Sequence, residues 1–312
     1  MKEIAIGILA SMFFAVTFIL NRSMELSGGS FLWSSSLRFL FMIPFLLLLV
    51  LFRRNLSQIF TEIKKAPLSW LGWSFVGFVL FYVPLTYAAA YGPGWLIAGT
   101  WQLTIVAGIL IGPIFLKQKL AVQSLMLSLI IFAGVVLIQW QHADGLQLSM
   151  LAGILPVVLA AFAYPLGNRK MMELVDGRLD TFQRILGMTL MTTPFWLLLA
   201  GAGLVTVGPP PASQVLQAFI VGVSSGVIAT TLFFIATDRV RGDSERLGAV
   251  EATQSTQVIF VMVGEVLLLS TRLPSGIAIL GLLLIMIGMT LHSFLSRKSG
   301  RTAPIMATKK AR

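Results

Sequence analysis

The sequence predicts an all-α membrane protein, with ten transmembrane helices as a five-plus-five inverted repeat and both termini cytoplasmic. Three observations predict it. Ten apolar runs of about bilayer length divide the chain, basic residues fall almost wholly on one side of those runs, and residues of the first half recur in the second at a near-constant offset.

The apolar runs follow from composition. The chain of 312 residues is 57% hydrophobic and 11% charged, with a mean hydropathy of +0.90. A soluble domain carries about 25% charged residues. A globule of 34.0 kDa has no interior large enough for this much apolar surface, so the surplus faces lipid. That excludes an ordinary cytosolic enzyme, a disordered chain and a nucleic-acid-binding module. Cysteine is absent, which removes disulfides, thiolate metal sites and cysteine nucleophiles.

A helix needs about 20 apolar residues to cross the hydrocarbon core. Such runs lie at 3–20, 31–52, 68–91, 94–115, 122–140, 149–167, 180–203, 214–237, 247–269 and 275–295. The first is read as a retained span, because it ends at Asn21-Arg22 without a small-residue cleavage site. Gly92-Pro93 and Gly208-Pro209-Pro210-Pro211 are the plainest breaks, since proline stops a helix and glycine permits the turn.

Charge sets the orientation. One set of connections holds only Arg22 and Arg272, whereas the other set and the two ends hold 19 of the 23 basic residues. Arg38 and Arg184 fall inside runs. The positive-inside rule then places both termini in the cytoplasm, which accounts for a net charge of +11 without a nucleic-acid partner. The tail 297–312 is basic and is expected to meet anionic headgroups or solvent.

The repeat is collinear. Ile8-Leu9 and Asn21-Arg22 recur as Ile154-Leu155 and Asn168-Arg169; Arg38 and Pro44-Phe45 recur as Arg184 and Pro194-Phe195; Gln102 recurs as Gln254, all offset by 146 to 152 residues. A five-helix unit is odd, so its second copy enters the membrane from the opposite face. The expected divisions are 1–148, 149–296 and the tail 297–312. Inverted repeats place a binding site near the midplane between the halves.

Ionisable groups inside a membrane are costly and mark function. Run nine carries Glu251 and Glu265, 14 residues apart and so within about 40° on one helical face, about 21 Å apart along the axis. Gln254, Ser255, Val258 and Met262 share that face. Two readings stay open. The acids bind protons or a cationic group, or they form fixed ion pairs, Glu251 with Arg184 and Glu265 with Arg38. In run four, Trp101, Gln102 and Thr104 are candidate substrate contacts, the indole by stacking or cation–π contact; lipid exposure and helix packing are the competing explanations. Tyr82, Tyr87 and Tyr91 are read as packing or interface residues. Gly108-x-x-x-Gly112 and Gly222-x-x-x-Gly226 are close-crossing signals. Asn21 and Asn168 are read as C-terminal helix caps. Sparse His residues and the absence of HExxH, P-loop and nucleophile-elbow motifs leave no enzyme signature, metal site or cofactor site.

Tyr91-Gly92-Pro93-Gly94-Trp95, Ala98-Gly99-Thr100-Trp101-Gln102, Val250-Glu251-Ala252-Thr253-Gln254-Ser255 and Val263-Gly264-Glu265 resemble segments of the drug/metabolite transporter superfamily, most closely its multidrug resistance efflux transporter family. The resemblance covers all but the tail. It implies export of small molecules in exchange for protons, through a cavity open alternately to each side of the plasma or inner membrane. One departure is that the small multidrug resistance relatives keep an essential Glu in mid-helix one, whereas Glu3 here lies at the membrane edge. The expected protein is a monomeric or weakly dimeric secondary transporter of small amphipathic compounds, coupled to protons through Glu265 or Glu251. Its rivals are an exporter or importer of one metabolite such as an amino acid, a membrane enzyme acting on lipid-linked substrates, and a scaffold.

Overall fold

A computed structural model describes residues 2–52, 56–115, 122–142, 148–240, 250 and 253–300. All regular structure among them is helical. Seven helices are long and apolar enough to cross a membrane by length and composition, and Leu125–Trp140, Thr253–Leu269 and Gly276–Leu291 are shorter apolar helices.

Helices α1 (Lys2–Leu26) and α2 (Phe31–Phe52) meet at a tight turn. α3 (Leu56–Lys65) is short and amphipathic; Ile59 packs inward and Lys64 and Lys65 close its last turn. α4 (Pro67–Ser74) begins with Pro at its first position, where the missing N–H costs nothing. It passes through a π-helical stretch, Phe75–Val79, into α5 (Leu80–Ala88). Pro93 is the extended residue that starts α6 (Gly94–Trp101), and Gln102 separates α6 from α7 (Leu103–Phe115). α8 (Val122–His142) and α9 (Leu148–Val175) follow. α10 (Thr181–Thr206) opens on a capping box, with the Gln183 N–H donating to Asp180 Oδ1 at 2.9 Å and the Asp180 N–H to Gln183 Oε1 at 2.8 Å. α11 (Ala212–Val221) runs through a second π-helical stretch, Gly222–Ala229, into α12 (Thr230–Asp238). A single 3₁₀ turn, Thr253–Ser255, leads into α13 (Thr256–Leu269), and α14 (Gly276–Gly300) ends the described chain.

The helices pair across the chain rather than in sequence order. α1 packs on α13 and on the α11–α12 segment, and α9 packs on the α4–α5 segment, α6 and α7. α2 packs on α10, and α8 packs on α14. Small residues permit the tightest crossings. A Cβ on Gly134 would lie 2.5 Å from the Gly281 carbonyl oxygen, and one on Gly281 would lie 2.8 Å from that of Gly134. Gly167 meets the Gly77 backbone at 2.3 Å on the same test. Gly222 and Gly226 seat the second π-helical stretch on α2, against the Arg38 carbonyl and Met42.

The core runs through these crossings. Phe39 stacks on Trp196 at 4.3 Å with rings 5° from parallel, and Trp70, Tyr82 and Leu186 are fully buried beside them. Leu197, Leu198, Val205, Leu267 and Leu268 point outward, an apolar exterior suited to lipid. Both asparagines expected as caps lie inside helices. α1 continues past Asn21 to Leu26, with the Asn21 amide on the Tyr82 hydroxyl, and α9 continues past Asn168 to Val175. Polar residues that pair within or between helices do not end them.

Candidate functional site

One end of the bundle is tied by polar contacts between turns. Arg22 donates to the Ala89 carbonyl at 2.7 Å, and Gln214 donates to the Ser30 carbonyl at 2.7 Å and Ser34 Oγ at 2.9 Å. Glu265 belongs to this end. Its carboxylate is fully buried and accepts the N–H groups of Gly94 at 2.6 Å and Trp95 at 3.1 Å. These are the first N–H groups of α6, which have no partner inside the helix. A carboxylate there also meets the positive end of the helix dipole. The fit requires glycine at 94, because a Cβ would sit 2.9 Å from both Glu265 Oε1 and the Phe18 carbonyl oxygen.

The opposite end is tied by Glu62, which accepts from Lys65 Nζ at 2.5 Å and Arg178 Nε at 2.8 Å. These two donors hold the Glu62 carboxyl below its ordinary range. Gln58 adds a bond to the Arg178 carbonyl at 2.6 Å and accepts from Gln183 at 3.2 Å.

Arg38 lies between the ends, on the buried side of α2, 7% exposed. Its Nη2 donates to Ser225 Oγ at 3.2 Å, and its guanidinium carbon stands 3.9 Å from the Tyr82 ring centre. Nε and Nη1 are buried and have no hydrogen-bond partner among the described residues. Next to this group is an aromatic wall. Phe81 is 5.0 Å from Trp101 and 4.8 Å from Tyr164, and Trp101 is 5.6 Å from Tyr164, between ring centres. Tyr164 remains 37% exposed although its ring touches both neighbours.

The other predicted site residues distribute as follows. Trp101 ends α6, and the buried Gln102 occupies the break, donating to the Ala98 carbonyl at 3.3 Å. Thr104 is half-buried one turn on. Gln254 and Ser255 lie in the 3₁₀ turn, which packs on α1 and α14; Gln254 Nε2 is buried without a partner among the described residues. Thr253 in the same turn accepts, through its carbonyl, from Ser11 at 2.8 Å. Glu251 lies outside the described residues. The pairing of Glu265 with Arg38 does not form, because each turns to the partners named above. The regular-helix phase expected for run nine also fails at its start, where the 3₁₀ turn precedes α13.

Tyr82, Tyr164 and Ser225 complete the arginine group and were not singled out as site residues. The only sequence signal for Ser225 was its place within Gly222-x-x-x-Gly226. Among the described residues no group of three or more His, Asp or Glu could hold a metal ion. An apolar cavity of about 500 Å³ lies between α2, α5 and α9, walled by Phe31, Pro84, Tyr87, Pro156 and Leu159.

The sequence matches, over residues 1–298, the model of the EmrE family, described as "Putative multidrug resistance efflux transporter". The chain belongs to that family. It is thus a multi-pass membrane transporter of the drug/metabolite type. The EmrE-family chain is 60% identical over 310 residues to the uncharacterized protein YjlA of Bacillus subtilis (strain 168), covering 95% of this chain and 96% of YjlA. It is 54% identical over 264 residues to an uncharacterized 42.1 kDa protein of Shouchella clausii, covering 82% of this chain and 70% of that protein. A crystal structure 17% identical in sequence superposes with a TM-score of 0.65, covering 96% of this chain and 98% of that one, which establishes a common fold.

Proposed function

We propose that the protein is a ten-span secondary transporter of the plasma membrane that exports small amphipathic compounds by alternating access, in exchange for protons. The observation that carries this reading is the exchange symmetry of the helix contacts. Swapping the halves takes α1 to α9, α2 to α10, α4–α5 to α11–α12, α6–α7 to the 3₁₀ turn with α13, and α8 to α14. The contacts α1 with α11–α12 and α13 then become α9 with α4–α5 and α6–α7, while α2–α10 and α8–α14 map onto themselves. Irregular geometry obeys the same exchange. The π-helical stretches begin at Phe75 and Gly222, offset by 147, as are Gly134 and Gly281, which touch each other's carbonyls. Such a pseudo-dyad supports two halves rocking about a site between them.

On this reading the Arg22 end faces outward and the Arg178 end faces the cytoplasm. Glu265 is the proton-coupled group. As a carboxylate it holds two N–H groups and keeps α13 against α6; once protonated, one oxygen carries a proton and no longer serves both. Proton arrival thus loosens the outer end. Amino-acid-like metabolites are the second reading, favoured by the guanidinium of Arg38.

The test is protein-dependent flux in proteoliposomes under an imposed pH gradient, with a panel of amphipathic cations, zwitterions and carboxylates, for wild type, Glu265→Gln and Glu251→Gln. Gradient-driven flux of a panel member supports the transporter. Flux unchanged in both variants would remove the coupling role of the acids, and no flux of any compound would overturn the reading.

A further inference from the structure

Three arginines of this bundle are well supplied with acceptors. Arg22 donates to the carbonyls of Ala89 and Ala90, Arg169 donates to that of Gly108 at 2.6 Å, and Arg178 donates to Glu62 and the Leu174 carbonyl. Arg38 differs. It has one hydroxyl, Ser225 Oγ, and the face of Tyr82, while Nε and Nη1 are enclosed and unmet. No Asp or Glu among the described residues lies within ion-pair distance of it. Glu265, an acid of the same bundle, already accepts two backbone N–H groups.

A guanidinium cannot give up its proton at any working pH. Buried charge without a counterion is expensive, and Arg22, Arg169 and Arg178 each meet at least one backbone carbonyl where Arg38 meets none among the described residues. The missing partner is therefore an anion that comes and goes. A planar carboxylate matches the fork geometry of the guanidinium. One unneutralised charge calls for one negative charge, and the surface that continues from Tyr82 is aromatic: Phe81, Trp101 and Tyr164.

We propose that Arg38, with Ser225 and Tyr82, binds the carboxylate of an anionic amphipathic substrate, whose apolar body lies against Phe81, Trp101 and Tyr164. The proposal rests on the transporter reading and narrows its substrate class, excluding cationic drugs as the preferred cargo. A cation entering this site would meet a positive charge with no acid beside it among the described residues.

Indole-3-acetate, its neutral amide indole-3-acetamide and the amine tryptamine serve as probes of nearly one shape and three charges. Full-length protein is assayed in detergent for ligand-dependent thermal stabilisation and in proteoliposomes for protein-dependent uptake. Wild type is expected to be stabilised by, and to move, indole-3-acetate at least tenfold more effectively than the other two. Arg38→Gln is expected to lose that preference, and Arg38→Lys to keep the sign of selectivity with weaker binding, because the fork is gone. Should Arg38→Gln fail to fold, Ser225→Ala and Tyr82→Phe provide the readout. Each leaves the guanidinium in place and is expected to change indole-3-acetate affinity while leaving tryptamine rejected. Uptake of tryptamine or the amide in preference to the carboxylate would overturn the anion site and leave the transporter standing. Equal handling of indole-3-acetate by wild type and Arg38→Gln would also overturn it. Failure of all three probes to bind or move would overturn this assignment, and only the wider panel's failure would remove transport itself.

Discussion

Glu265 and Arg38 are both buried ionisable groups, and their surroundings differ. Glu265 is saturated by two N–H groups on a neighbouring helix, so it behaves as a fastening between α13 and α6. Replacing it with glutamine keeps the shape but brings an NH₂ donor to face a backbone donor. Leaving a buried donor without an acceptor costs about 1–3 kcal/mol. Glu265→Gln is therefore expected to melt several degrees lower than wild type in detergent, and its transport is expected to lose dependence on external pH. A variant with wild-type melting and an unchanged pH profile would show that this fastening is neither structural nor coupled. At this scale the sequence singled out two ionisable residues that prove to be buried, but not their partners. The rarity of acids and arginines in apolar runs singles out Glu265 and Arg38. Which of them pairs with what depends on helices 170 or more residues away, as the Gly94–Glu265 contact illustrates. Tyr82 and Tyr164 carried no charge to betray them.

Elements were legible where a strong local rule operates. Run length and Gly-Pro breaks located the helices, because a bilayer demands continuous backbone hydrogen bonding. Interruptions inside runs were not legible. No proline or glycine pair marks the break at Gln102, and the π-helical stretches arise where α4–α5 and α11–α12 must fit against neighbours. α3 was hidden because it is too short and too charged to register as a span. Glycines report the same contacts from the other side. Gly167→Ala puts a methyl about as close to the Gly77 backbone as a covalent neighbour, 2.3 Å from its nitrogen, whereas Gly72→Ala meets nothing within 4 Å. Overpacking of this kind costs about 1–3 kcal/mol or more. The expectation is a sharp fall in monodisperse yield and melting temperature for Gly167→Ala, with Gly72→Ala unchanged or slightly improved. Equal behaviour of the two would place α9 farther from the first π-helical stretch.

The tie of α3 to the turn before α10 gives a pH dependence of definite sign. Lys65 and Arg178 hold the Glu62 carboxyl below its ordinary range. A lowered carboxyl stabilises the fold fully above its unfolded value, and that contribution disappears as pH falls through the lowered, folded value. Both cations are partly exposed, so solvent and salt weaken the effect. Glu62→Gln should thus lower the melting temperature by a few degrees at neutral pH, with the gap to wild type closing as the pH drops below the ordinary carboxylate range. Raising salt should narrow the gap at neutral pH. A gap that widens on acidification would contradict the assignment.

At the scale of the molecule, the two ends are fastened by different chemistry. Glu265 with α6 and Arg22 with the Ala89 carbonyl hold one end; Glu62, Arg178, Gln58 and Gln183 hold the other. Each fastening except the Lys65 bond joins segments far apart in sequence. Under the alternating-access proposal these fastenings open in turn, since a site reachable from both sides at once would be a leak. The repeated Asn-Arg and Pro-Phe pairs suggested the proposed exchange of halves, while nothing in the sequence located the polar ties at the two ends. Because the chain lacks cysteine, the idea can be tested without background. The side-chain tips of Gln58 and Gln183 meet at 3.2 Å, so Gln58→Cys with Gln183→Cys places two thiols within reach of a short cross-linker at the Arg178 end. Bridging them with a short bismaleimide should hold that end shut and reduce flux at least tenfold, whereas the unbridged double variant and each bridged-reagent single variant should retain it. Separation at this end is then the step that admits substrate. Full cross-linking with undiminished flux would mean that separation at this end is not the step that admits substrate, and the apolar cavity between α2, α5 and α9 would then be the next opening to block.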